Sequence, residues 1–141
     1  MHIIPAPGLD IVRQLLQSTG LPTGDIGHNP QARFYLIEQN GSAVALAGIE
    51  CHGTDALLRS LMVQPAFRGQ GLATRLVEHI QQVAAAQGAT ALYLLTTDAA
   101  EYFRRLGFGV IARDAAPASI RQTPEFAQLC PDDATLLCRR L

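Results

Sequence analysis

The chain of 141 residues contains no lysine, and all eleven of its basic residues are arginine. That absence removes a Walker A lysine, a Schiff-base lysine and the phosphate-binding lysine of a kinase. Excess charge is lacking too. Eleven basic residues against twelve acidic ones leave a net charge of −1, so neither nucleic acid nor a membrane surface is an expected partner. No apolar run exceeds strand length, so nothing in the sequence spans a bilayer. The opening MHIIPAPGLDIV has no basic n-region and no continuous apolar h-region, and the expected location is cytoplasmic. Cys51, Cys130 and Cys138 are odd in number and irregularly spaced, which fits reduced thiols better than a disulfide framework. With no Cys-x-x-Cys or His-x-x-x-His pair to begin a tetrahedral site, no metal is expected.

What is present suits one domain over residues 1–141, with 48% hydrophobic residues and no repeat or linker. Residues 8–18 carry Leu9, Val12, Leu15 and Leu16 at helical spacing. Residues 19–33 read as a loop. FYLIEQ and SAVALAGIEC flank Asn40-Gly41, a strong hairpin signal, and His52-Gly53-Thr54-Asp55 turns the chain into ALLRSLMV. From Gly71 the period becomes helical, through Leu72, Leu76, Ile80 and Val83, with Gly88 as the C-cap. ALYLLTT reads as a buried strand, and Asp98 with Glu101 forms a capping box for AAEYFRRL, closed by Gly107. FGVIAR is a strand, residues 117–131 are helical turns broken by prolines, and ATLLCRRL is a final strand. The order α-β-β-β-α-β-α-β-β predicts an α/β (α+β) fold: a mixed, mostly antiparallel sheet with helices on both faces.

One stretch asks for an explanation. VQPAFRGQGLATRLVEHI (63–80) places two glycines behind an arginine and directly before a helix. The first amides of a helix have no intrahelical acceptor, and the dipole adds partial positive charge there. Gly69 and Gly71 would let the backbone approach a diphosphate, with Arg68 supplying charge. Local chemistry alone leaves this reading beside a plain glycine turn joining strand to helix. A dinucleotide fold fails on context: Thr74 replaces the third glycine, and antiparallel strands precede the loop.

Arg68-Gly69-Gln70-Gly71-Leu72-Ala73 resembles the Q/R-x-x-G-x-G/A signature of the GNAT superfamily of N-acetyltransferases, and it sits after a strand and before the long helix, as in that family. GSAVALAGIE resembles the family's glycine-containing third strand, and FRRLGF its closing helix-turn. LLRSLMV, LYLLTT and the tail SIRQTPEFAQLCP are similar to the small branch associated with arsenic-resistance operons. The resemblance implies acetyl-CoA as cosubstrate, lying along residues 57–63. The amides of Leu61, Met62 and Val63 would then face the pantetheine and the thioester. Arg68 and the amides of Gly69, Gln70, Gly71, Leu72, Ala73 and Thr74 would hold the pyrophosphate, with Phe103 bordering the site. It further implies transfer of the acetyl group by direct attack of a primary amine on the thioester. An α-amine, with a pKa of about 7.7–8, needs little help from a base, which favours a small, amino-acid-like substrate, and a homodimer is a possible assembly.

Against the family pattern, Phe103 stands where many members carry an acidic tyrosine, and Tyr102 lies one place earlier, about 100° around a helix. Tyr102 is thus either a candidate acid or a packing residue against Leu106. Glu50 is a candidate base acting through water, or a solvated carboxylate at a strand end. Arg59, Arg113 and Arg121 could each clamp a carboxylate or pair at the surface. His52 and His79 read as polar surface residues. The loss of the tyrosine also motivates an alternative, a non-catalytic acyl-CoA-binding or sensing module. A metalloid site on the three cysteines would need the fold to bring them together.

Overall fold

The computed structural model describes residues 2–141. Its elements run β1 (His2–Pro5), α1 (Leu9–Thr19), β2 (Ala32–Gln39), β3 (Ser42–His52), β4 (Asp55–Val63), α2 (Leu72–Ala86), β5 (Ala91–Thr96), α3 (Ala100–Arg105), β6 (Gly109–Ile111), α4 (Ala118–Arg121) and β7 (Thr135–Arg140). The strands form one sheet in the order β1-β2-β3-β4-β5-β7-β6. Among the described residues only β4 and β5 run parallel; every other neighbouring pair is antiparallel. The mixed, mostly antiparallel sheet of the sequence reading is therefore observed. One strand was not anticipated: β1 pairs with β2 from His2↔Glu38 to Pro5↔Tyr35. Four residues are too few to show a period, and the neighbouring strand supplies the order.

Both faces of the sheet are covered. Val12, Leu15 and Leu16 of α1 pack on Phe34, Leu36, Leu46 and Met62. Leu72, Leu76, Val77, Ile80 and Ala84 of α2 pack on the opposite face, against Val44, Ala45, Ala47, Ile49, Ala56 and Leu58. The helical spacing of the apolar residues thus decides which side of each helix is buried. Asn40 (φ 53°) and Gly41 (φ 80°) both adopt the left-handed region, as a tight hairpin of this type requires. Gly88, at φ 93°, lets the chain leave α2, and the Ala89 amide then bonds back to the Ala84 carbonyl. The capping box does not form. The α3 N-cap is Ala99, whose amide donates to Thr96 Oγ1 at 3.1 Å, and Glu101 pairs with Arg104 at 3.0 Å. The helix begins one residue later than the capping box requires, with Ala99 and not Asp98 as N-cap, so no side chain caps it.

Two departures from regular sheet geometry shape the site. First, β4 and β5 pair over only three rungs, Asp55↔Ala91 to Leu57↔Tyr93. Beyond Leu57 the strands separate, while β4 keeps β3 as a partner out to Val63. The edge of β4 from Leu58 onward therefore faces a wedge instead of a strand. Second, the β3–β4 register passes from Leu46↔Met62 to Gly48↔Arg59, so β4 carries one extra residue. Ser60 is that bulge residue, at φ 59°, an unusual angle for a side-chain-bearing residue.

Gly48 sits opposite the bulge because a side chain has no room there. A Cβ would lie 2.8 Å from a ring carbon of Phe34 and 3.0 Å from Arg59 Cγ. Gly48→Ala is expected to destabilise the chain by about 1–3 kcal/mol through overpacking, read as a lower urea midpoint at unchanged m-value.

Candidate active site

The glycine loop presents an open row of amides. Gly69 and Gly71 adopt φ 80° and 77°, and the space beside each is empty to 4 Å. Gly71 is the N-cap of α2 and offers no side chain to the helix. The first helical bond runs from the Arg75 amide to the Gly71 carbonyl, so Leu72, Ala73 and Thr74 have no acceptor within the helix. Among the described residues, no carbonyl accepts from the amides of 69–74. A fifteen-residue helix adds its dipole to that cluster. Arg68 Nε donates to the Val63 carbonyl at 3.1 Å, tying the loop to the end of β4.

From this loop a cavity of about 930 Å³ follows the wedge between β4 and β5. Leu58 to Val63 form one wall, Leu94 to Ala99 the other, and Glu125, Leu129, Cys130 and Pro131 of the tail border it as well. Of the residues expected at the cosubstrate, Leu61, Met62, Val63, Arg68, Gly69, Gly71, Leu72, Ala73, Thr74 and Phe103 line the cavity; Gln70 does not, and stands exposed at the loop tip. Phe103 is a core residue, edge-on to Phe108 at 5.7 Å, that shows one side to the cavity. Tyr102 also borders it. Its hydroxyl lies 2.8 Å from Thr74 Oγ1, so it does more than pack against Leu106.

Beside the bulge lies an ion cluster that the sequence did not disclose. Arg59 Nη1 and Nη2 donate to Asp25 Oδ2 and Oδ1 at 2.5 and 2.7 Å, a bidentate pair. Nη1 also donates to Glu50 Oε2 at 3.0 Å, and Nη2 lies 3.1 Å from Glu125 Oε1. Nε donates to Ser60 Oγ at 3.1 Å, which holds the bulge side chain. The Arg59 side chain is 1% exposed and that of Glu50 is 0%. Three carboxylates thus share one guanidinium, which leaves an excess of negative charge in a dry setting.

Burial pushes the Asp25 carboxyl up, but its bonds from Arg59 and Asn29 outweigh that and hold it below its ordinary value. Glu125 moves the other way: burial raises it, Asp25 and Glu50 add to the rise, and Arg59 and the Cys130 thiol only partly offset it. Cys130 donates to Glu125 Oε2 at 2.9 Å, and burial with the Glu125 charge pushes that thiol up to about 12. It stays a protonated donor at neutral pH.

These contacts correct several expectations. Arg59 is saturated by internal carboxylates and is not free to clamp a substrate. Arg113 stacks over Phe126 at 4.5 Å and donates to the Ala134 carbonyl at 3.1 Å, while Arg121 is exposed. Glu50 is not a solvated strand-end carboxylate. It is wholly buried, outside the cavity lining, and bound to Arg59 and to His52 Nε2 at 3.0 Å. His79 is half-buried, packed edge-on to Tyr35 at 4.7 Å. Glu125 was missed altogether. It opens a π-helical turn, Glu125–Leu129, closed by the Cys130 amide on the Glu125 carbonyl at 2.9 Å. The three cysteines are free, and among the described residues no group of three or more His, Cys, Asp or Glu side chains is placed to hold a metal ion.

Open amides at a helix head thus run on into a strand edge bared by a wedge. A model of the acetyltransferase (GNAT) domain matches residues 30–110. The chain belongs to this GNAT family. It is 35% identical over 89 residues to the amino-acid acetyltransferase of Pseudomonas fluorescens (strain Pf0-1), covering 62% of this chain and 21% of that protein. The amino-acid acetyltransferase of Azotobacter vinelandii is 37% identical over 93 residues, covering 62% and 22%. The chain spans about a fifth of the length of these curated relatives. Its fold matches N-acetylglutamate synthase from Neisseria gonorrhoeae complexed with coenzyme A and N-acetyl-glutamate, with a TM-score of 0.80, 21% identity, and coverage of 100% and 35%. It also matches Rv2747 from Mycobacterium tuberculosis in complex with CoA, with a TM-score of 0.82, 20% identity, and coverage of 100% and 99%.

Proposed function

We propose that residues 1–141 act as one acetyl-CoA-dependent N-acetyltransferase domain, passing the acetyl group to the primary amine of a small, amino-acid-like substrate. The observation that carries this reading is the continuity of the open amides at 69–74 with the bared edge of β4. The loop suits the pyrophosphate. The unpaired edge of β4 suits an extended amide-bearing arm, as an added strand would. A β4 amide at the thioester carbonyl would stabilise the tetrahedral oxyanion, a contribution of about 3 kcal/mol where such donors have been removed. The names of the curated relatives support an amino-acid-like acceptor.

Within this reading Tyr102 serves as proton donor to the departing sulfur. Thr74 fixes its hydroxyl at the wedge wall. Tyr102→Phe is expected to lower kcat by about 10²-fold, the bottom of the range for general acid help, because a thiol of pKa about 8.5 already leaves tolerably as thiolate. CoA affinity stays unchanged in that variant, as calorimetric titration would show. Glu50 contributes through Arg59, which it helps to hold. The association with arsenic resistance, a cytoplasmic setting and a homodimer belong to the same reading, the first supported by the tail at 119–131.

A mass-spectrometric screen of the twenty L-amino acids and other small amines with acetyl-CoA tests the activity. The expected result is an acetylated product with an equal release of free CoA. Stabilisation by CoA without turnover of any amine would replace the enzyme by an acyl-CoA-binding module.

A further inference from the structure

The cavity has two ends of opposite character. At the head of α2 it offers amides and a helix dipole. At the bulge of β4, three residues and about 10 Å of strand away from Val63, it offers carboxylate. Two acidic residues border it, Asp98 and Glu125. Asp98 is exposed, whereas the Glu125 side chain is only 8% exposed and fixed at both oxygens, by Arg59 and by the Cys130 thiol. Each oxygen keeps a lone pair, and the π-helical turn holds the group against the wall that carries Ser60 and Arg59.

We propose that Glu125 is the acceptor-binding base: it pairs with the ammonium of the incoming amine, takes one proton from it, and frees the nitrogen for attack. This rests on the acetyltransferase reading and names the group that receives the substrate. The step balances. One N–H proton moves to the Glu125 carboxylate, and the neutral nitrogen bonds to the acetyl carbon as the carbon–sulfur bond breaks. Tyr102 gives its proton to the departing thiolate, and the second N–H proton restores the tyrosine hydroxyl, giving CoA thiol and the amide; the Glu125 proton then passes to water. Arg59, Asp25, Glu50 and Cys130 are the charged or titratable groups that face Glu125. The local excess of carboxylate favours a cationic acceptor over an anionic one. It also holds the Glu125 carboxyl above its ordinary value, which strengthens it as a base.

The test compares the full wild-type chain with Glu125→Gln and Glu125→Asp, using the L-amino acid that the wild type turns over fastest. Glutamine keeps the shape and an acceptor for Arg59 but cannot take a proton. The expected result is a loss of about 10²–10⁴-fold in kcat for Glu125→Gln, with the KM for acetyl-CoA within about twofold. Its residual rate should rise tenfold per pH unit up to the amine's own pKa, while the aspartate variant recovers part of the activity and of the wild-type profile. Added to the CoA-saturated chain, the same amino acid should raise the Tm of the wild type and not that of Glu125→Gln. A Glu125→Gln enzyme with wild-type kcat and pH profile overturns this assignment and leaves the acetyltransferase reading intact. A wild type that binds CoA yet acetylates nothing overturns both.

Discussion

Replacing Ala73 with glutamate raises the Tm of the free chain and removes the stabilisation that CoA adds. Ala73 is in the first turn of α2, half-buried on the cavity wall. A carboxylate there meets the open amides and the positive end of the dipole, which stabilises the helix by about 0.3–1 kcal/mol. The same carboxylate occupies the place of the diphosphate and repels it. An affinity loss of about 100-fold or more follows, equivalent to about 2.7 kcal/mol. At a CoA concentration that stabilises the wild type by a similar amount, the variant shows almost no shift. The opposite signs matter: a merely damaged loop would lower both quantities. Scanning fluorimetry with and without CoA reads both.

Arg59→Met has the largest expected effect on folding. The guanidinium is buried among Asp25, Glu50 and Glu125, and removing it leaves three carboxylates facing one another in a dry cluster. Breaking a buried pair by removing one partner costs about 3–5 kcal/mol, a large share of a domain's stability. The pH dependence carries a definite sign. Asp25 has a depressed folded pKa, so its contribution is present above its unfolded value and is lost as pH falls through the folded one. Glu125 is raised, so its contribution is full below its unfolded value and is lost as pH rises through the folded one. Without Arg59 the Asp25 and Glu125 carboxyls rise, and the folded chain binds protons more tightly. The stability gap between wild type and Arg59→Met therefore narrows as pH falls from 7 to 4 in urea titrations. A constant gap would mean that the carboxylates do not depend on Arg59.

The parts of this fold that were legible in the sequence are those set by neighbours along the chain. Asn40-Gly41 requires two left-handed residues in succession, and few structures other than a hairpin use that. The apolar spacing from Leu72 to Val83 marks the buried side of α2, and Gly88 its end. The loop at 68–74 was legible because glycines before a helix expose amides whatever the rest of the molecule does. What was hidden depends on distance. Arg59 and Asp25 are 34 residues apart, and no local pattern marks either as half of a bidentate pair. Arg59 read as a clamp or a surface pair, and Glu50 as a base or a solvated carboxylate, because the sequence shows charge and not burial. Ser60 gave no sign of a bulge, since register is a property of two strands. The burial of Glu125 beside Arg59 was masked by the prolines around it, which announce a broken helix but not where its carboxylate points.

The most direct measurement is an amide-resolved NMR titration of the 15N-labelled chain with CoA. The expected result is that the largest shifts fall on Gly69, Gly71, Leu72, Ala73 and Thr74, with a second set along Leu61 to Val63 at the open edge of β4. Saturation of the chain by CoA while the resonances of 69–74 stay in place would contradict the claim that these amides seat the diphosphate.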